Sequence, residues 1–210
     1  MKTIGPYVLF STQGDKALDD EIALKNGVKL WMDTVYDPLF KVMPYGTIEF
    51  TNEKLEEYGL KKGVRVYCHH FCYGETDKNK PFVSAAQDIL GQRLFTADLF
   101  NIYAIDEGLG PKAFGDSVFV SDYRTANRFA TKTSLILPDM LKEEVHQQIG
   151  TIEIATPEYL QYSGLKIGDK VIFSSNSEYE MLIGDRKLFR MEGRDIVGKL
   201  EDEPWQIEAR

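Results

Sequence analysis

The segment Cys68-His69-His70-Phe71-Cys72 is the one stretch whose residue types and spacing suggest metal chemistry. If the strand begun at Val64 continues, alternation puts Cys68, His70 and Cys72 on one face and His69 on the other. Three thiol or imidazole donors on one face could begin a zinc site. An extended strand, however, separates Cys68 from Cys72 by about 13 Å, too far for one ion unless a bulge or turn intervenes. The expectation is therefore a strand end leading into a loop over Tyr73–Ala85, with no metal and no cofactor. Elsewhere the carboxylates are scattered, and no Ser/His/Asp set, phosphate-cradling glycine loop or His-Glu-x-x-His motif occurs. His146, in the polar stretch Lys142–Gln148, reads as a solvated loop residue. A catalytic role is not expected.

Charge narrows the partners. Residues 1–108 carry 12 basic and 16 acidic side chains and residues 109–210 carry 13 and 17, so each half is −4. Without a basic block to neutralise phosphates, neither nucleic acid nor an anionic membrane is expected as a partner. The longest apolar stretch, Leu99–Ile105, contains Asn101 and is too short for a bilayer. Gly5-Pro6 interrupts any early apolar run, so no signal peptide is expected and the location reads as cytoplasmic. Both cysteines lie in one half and cannot staple the halves together.

The elements that would position any site are arranged twice. Gly46-Thr47-Ile48-Glu49-Phe50 recurs as Gly150-Thr151-Ile152-Glu153-Ile154, and Gly59-Leu60-Lys61-Lys62-Gly63 recurs as Gly164-Leu165-Lys166-Ile167-Gly168. The spacing is kept: Gly46 to Gly63 is 17 positions, Gly150 to Gly168 is 18. Val8-Leu9-Phe10-Ser11 matches Val118-Phe119-Val120-Ser121, while Leu94-Phe95 and Asn101–Ala104 match Leu188-Phe189 and Asp195–Gly198 at an offset of 94. Blocks in one order in both halves indicate two copies, residues 1–108 and 109–210, divided at the Gly/Pro-rich joint Gly108–Pro111. Short β-branched and aromatic runs punctuated by Gly, Asp, Asn and Lys predict strands. Thr156-Pro157 before Glu158–Leu160, with Gly164 beyond, predicts a helical turn, and Asn52–Gly59 repeats the design. The fold class is all-β: two tandem small barrels, each with one helical turn.

In the second copy, Ser134-Leu135-Ile136-Leu137-Pro138, Gly150-Thr151-Ile152, Lys166-Ile167-Gly168-Asp169-Lys170-Val171 and Asp195-Ile196-Val197-Gly198 follow one another in order. This series resembles the co-chaperonins, the chaperonin lids of the GroES type. The resemblance implies GroES-like barrels assembled as a homo-oligomeric ring that caps a GroEL-type chaperonin ring when nucleotide is bound. Contact would be made by the hydrophobic tip of a flexible loop. Carried over, the tip falls on Leu135, Ile136 and Leu137 in the second copy, and on Val28 and Leu30 in the first. Both loops lack periodic apolar residues, so an extended, disordered free state is expected. Lys29 and Trp31 stand where the family has an apolar residue and a proline, which predicts weaker binding by the first loop. The segment before the Lys-x-Gly turn is shorter than in bacterial lids, where a roof hairpin sits. That implies an open roof and is similar to virus-encoded lids. The alternative is a structural or interaction protein, such as a virion component, that reuses the barrel without a chaperonin. The acidic tail Glu201–Ile207 carries Trp205, which is expected to pack on a neighbouring subunit.

Overall fold

The computed structural model describes residues 1–13, 21–23, 29–31, 43–75, 83–126, 143–175, 177 and 179–200. Two compact units form, one from Met1–Gly115 with Met181–Arg186 and the other from Asp116–Glu180 with Lys187–Arg210. The acidic tail around Trp205 lies outside the described residues. Among the described residues, no helix is long and apolar enough to cross a membrane.

In the first half the strands are β1 (Tyr7–Ser11), β2 (Glu21–Ala23), β3 (Lys29–Trp31), β4 (Gly46–Phe50), β5 (Arg65–Cys68) and β6 (Gly74–Glu75). They continue as β7 (Val83–Ser84), β8 (Gln87–Ile89), β9 (Gln92–Asp98), β10 (Ile102–Asp106) and β11 (Lys112–Ala113). The second half contributes β12 (Ser117–Ala126), β13 (Glu143–Ala155), β14 (Lys170–Phe173), β15 (Tyr179–Ile183), β16 (Arg186–Glu192) and β17 (Ile196–Lys199). One sheet runs β11-β10-β5-β4-β1-β9-β8; the other, written in the same sense, runs β17-β14-β13-β12-β16-β15. Apart from the added edge strand β11, the order is the same, as two copies of one all-β fold require.

The registers agree in detail. Leu9 faces Phe50, Phe10 faces Ile48 and Ser11 faces Thr47, with an irregularity between Leu9 and Phe10. Phe119 faces Ile154, Val120 faces Ile152 and Ser121 faces Thr151, with the irregularity between Phe119 and Val120. A bulge at the same place bends both strands alike, turning Phe10 and Val120 into their cores, where both are fully buried. Around Phe10 the first core gathers Val8, Ile48, Leu60, Val66, Tyr73, Phe95 and Ile102. Around Val120 the second gathers Val118, Ile152, Val171, Phe173 and Met191.

The helical turns form where the capping residues predict them. In α1 (Glu53–Glu57) the Asn52 side chain accepts from the Leu55 N–H at 3.2 Å. In α2 (Pro157–Ser163) the Thr156 hydroxyl accepts from the Tyr159 N–H at 3.3 Å, and Pro157 opens the helix where no donor is needed. Gly164 ends it in the left-handed region at φ 71°. The following tight turn is the same in both copies: the Gly63 N–H donates to Ile48 O at 2.8 Å, and the Gly168 N–H to Ile152 O at 2.8 Å.

In the second copy this turn is tied to the last strand. Asp169 accepts from the Lys166 N–H at 2.9 Å and pairs with Lys199 of β17 at 2.8 Å. The Lys199 hydrogen bond, helped by the Lys166 N–H, holds the Asp169 carboxyl below its ordinary value. A carboxyl depressed in the folded state stabilises above the unfolded pKa, and that contribution is lost as pH falls through the folded one. Lys199 is 44% exposed, so screening keeps the pair below about 1 kcal/mol. Asp169→Asn is expected to lower the urea midpoint slightly at neutral pH, with the gap to wild type closing as pH falls below about 4.

Candidate functional site

The first of the two segments expected to carry a contact leaves the sheet after Ser11 and returns at Gly46. Its root is fixed by side chains: Ser11 Oγ donates to Glu49 Oε1 at 3.0 Å, and Lys62 stands 3.7 Å from the other carboxylate oxygen. Between these strands β2 and β3 pair antiparallel, with Glu21 opposite Trp31, Ile22 opposite Leu30 and Ala23 opposite Lys29. Leu30 is therefore part of a paired strand, extended as expected but not disordered. Val28 lies outside the described residues.

The second root repeats the first and then departs from it. Ser121 Oγ donates to Glu153 Oε1 at 2.9 Å, the same contact between the same residue types. Pairing of β12 with β13 then continues past Asp122↔Gly150, through an irregularity, to Arg124↔Val145, Thr125↔Glu144 and Ala126↔Glu143. Gln148 takes a left-handed φ of 62° at this irregularity, which absorbs the extra residues of β13. His146 belongs to β13 and not to a loop, and its ring lies 5.4 Å from that of Tyr123, whose other partner is the Lys170 ammonium at 5.0 Å. From Ser121 to Ala126 the ladder adds five residues, so the root is carried about 17 Å further along the strand than in the first copy. Leu135, Ile136 and Leu137 lie outside the described residues.

The cysteine–histidine segment does not continue as a strand. β5 ends at Cys68, and a 3-10 turn over His70–Cys72 reverses the chain. His69 caps it, Nδ1 accepting from the Phe71 N–H at 3.1 Å, while the Cys72 N–H donates to His69 O at 2.9 Å. The separation expected of an extended chain is thus overturned: Cys68 and Cys72 enter the same core. His70 and Phe71 are on the outside of the turn, the latter 61% exposed. Partial burial lowers the His70 pKa. Among the described residues no three His, Cys, Asp or Glu side chains are grouped to hold a metal ion. The loop expected over 73–85 begins and ends as a hairpin stem, β6 with β7, with Gly74 opposite Ser84 and the Ala85 N–H donating to Tyr73 O at 3.0 Å. Phe173 occupies the register position equivalent to Cys68 in the second copy, facing Ile196 as Cys68 faces Ile102.

The serine–glutamate pairs are the residues that motif reading misses, because neither type is a contact residue by composition. Both fall inside the repeated blocks, and identical polar residues at identical positions of two diverged copies were the available signal.

Residues 111–200 match the family model described as the chaperonin 10 Kd subunit, a span running from β11 through β17. No curated protein matches the chain.

Proposed function

We propose that this chain is a co-chaperonin, a non-enzymatic lid that docks on a chaperonin ring and closes its chamber. The observation that carries the reading is the match of residues 111–200 to the chaperonin 10 Kd subunit, taken with a first half that repeats its strand order and registers. Each chain would act as two lid copies, residues 1–108 and 109–210. Contact is made by Leu135, Ile136 and Leu137 of the second copy and by Val28 and Leu30 of the first. The ladder that ends at Ala126↔Glu143 favours the second set, because it starts further from the sheet.

Release requires that docking depend on the chaperonin's nucleotide state, so the contacts must favour the nucleotide-loaded form over the empty one. Several chains assemble as a ring, since a single apolar tip binds weakly and avidity supplies the rest. The test is co-elution of the purified chain with the source organism's own chaperonin on size exclusion, with and without ATP. ATP-dependent co-elution, lost in Ile136→Asp, is the expected result. No co-elution under any nucleotide condition would overturn the proposal and leave a structural or interaction protein built on the same fold.

A further inference from the structure

We propose that Cys68 and Cys72 form a modification site, a dithiol that closes reversibly into an intramolecular disulfide in the first unit. Three features of the fold support this. The 3-10 turn over His70–Cys72 folds the chain back, so that two residues four apart point into one core. Both side chains are free thiols, only 4% and 6% exposed, and both belong to one core cluster. Backbone contacts hold the two ends of the turn: the His69 N–H donates to Asn101 O at 2.9 Å and the Tyr73 N–H to His70 O at 3.0 Å. The fold thus directs both thiols into one core within a single turn of chain.

A pair of small apolar residues would fill the same volume, and the second copy meets the equivalent need at Cys68 with Phe173. Cys68 ends the framework strand β5, and Cys72 stands at the start of the insertion carried by the first copy, whose stem is β6 and β7. A bond from Cys68 in β5 to Cys72 at the foot of that stem would clamp the insertion to the sheet.

The oxidant is a small disulfide of the glutathione class. One protein thiol, deprotonated, attacks it, forming a mixed disulfide and expelling a glutathione thiolate. The second protein thiol, deprotonated in turn, attacks the mixed disulfide at the protein sulfur and expels the second glutathione. Both protein protons end on the two glutathione thiols: the protein is oxidised by two electrons and the reagent reduced by two. Burial pushes the Cys68 thiol well above its ordinary value, with the neighbouring Cys72 adding to the shift. The reaction accordingly waits on a local opening of the turn and accelerates with pH.

The test uses the full chain with oxidised and reduced glutathione as the probe, read by intact mass and thiol count after acid quench. The expected product has lost two hydrogens and both thiols, carries no glutathione and is not cross-linked between chains. From the equilibrium ratio, the effective concentration of the pair should be at least about tenfold higher in the folded chain than in urea. Retention of both thiols, a stable glutathione adduct, an intermolecular bond, or an effective concentration no higher folded than unfolded would each overturn the proposal.

Discussion

Phe10→Ala is expected to lower the stability of the first unit by about 3–5 kcal/mol. The ring is fully buried, lies 5.4 Å edge-on to Tyr73 and 5.6 Å stacked on Phe95, and covers the backbone at Gly46. Removing it leaves a cavity walled by strands whose hydrogen bonds stop them from closing in. Val120→Ala, at the equivalent position, should cost about 2 kcal/mol, since only two methyl groups are lost. Urea unfolding measures both losses. Faster amide exchange in β1, β4 and β9 assigns the larger one to the first core.

Gly46 extends the argument. A Cβ built there would lie 2.0 Å from a Phe10 ring carbon, so Gly46→Ala alone should cost about 1–3 kcal/mol by overpacking. In the Phe10→Ala background most of that cost should vanish, because the three nearest atoms all belong to the ring. At Gly150 an added Cβ would lie 2.9 Å from both the Ser121 carbonyl oxygen and a Val120 methyl carbon, with Val120 Cβ at 3.0 Å. Truncating Val120 removes no backbone atom, so Gly150→Ala should stay costly in the Val120→Ala background. A double-mutant cycle at each site reads the difference. Equal coupling at the two sites would mean that the close approach at Gly46 is not what excludes a side chain.

If the proposed lid function holds, Ile136→Asp is expected to reduce apparent affinity for the ATP-loaded chaperonin by at least about 100-fold. A carboxylate forced against an apolar pocket costs on the order of 2 kcal/mol or more per contact, and a ring multiplies that loss over every engaged loop. Leu30→Asp should cost less, about tenfold or under in total. Leu30 sits in a strand paired to Ile22, so it is less free to adapt to a docking surface. Titration of the chaperonin with each variant in ATP ranks the two. A larger loss from Leu30→Asp would reverse the assignment of the second copy as the main contact.

The duplication was legible because a β-barrel of this kind depends on a few local devices that sequence displays directly. Close-approach glycines at 46 and 150, cap residues Asn52 and Thr156, and the left-handed glycines at 63 and 168 all recur in order. What stayed hidden depends on where strands end. Alternation says which face a residue takes while a strand lasts, but nothing in Cys68-His69-His70-Phe71-Cys72 says that the ladder stops at its first residue. That stop is set by β10: Ile102 faces Cys68, and Asn101 beyond it belongs to a 3-10 turn held by Asp98 at 2.9 Å. The extended β12–β13 ladder was hidden for the same reason. Its outer rungs rest on polar residues such as Arg124, Thr125 and Glu144, which carry no apolar period to read.

The two serine–glutamate roots have a consequence for how the contact segments evolve. Each fastens both ends of a chain segment to neighbouring strands, about 5 Å apart, so the segment between is in polymer terms a ring already closed. For a closed ring the entropy of joining the ends grows only with the logarithm of its length. The 34 residues between β1 and β4 are about twice the 16 between β12 and β13, and for a flexible loop a doubling of length costs only roughly 0.6 kcal/mol. Residues can be added to or deleted from either segment at almost no expense to the fold, as long as the two anchoring strands are left alone. The two copies are thereby free to diverge in reach and partner while keeping one sheet.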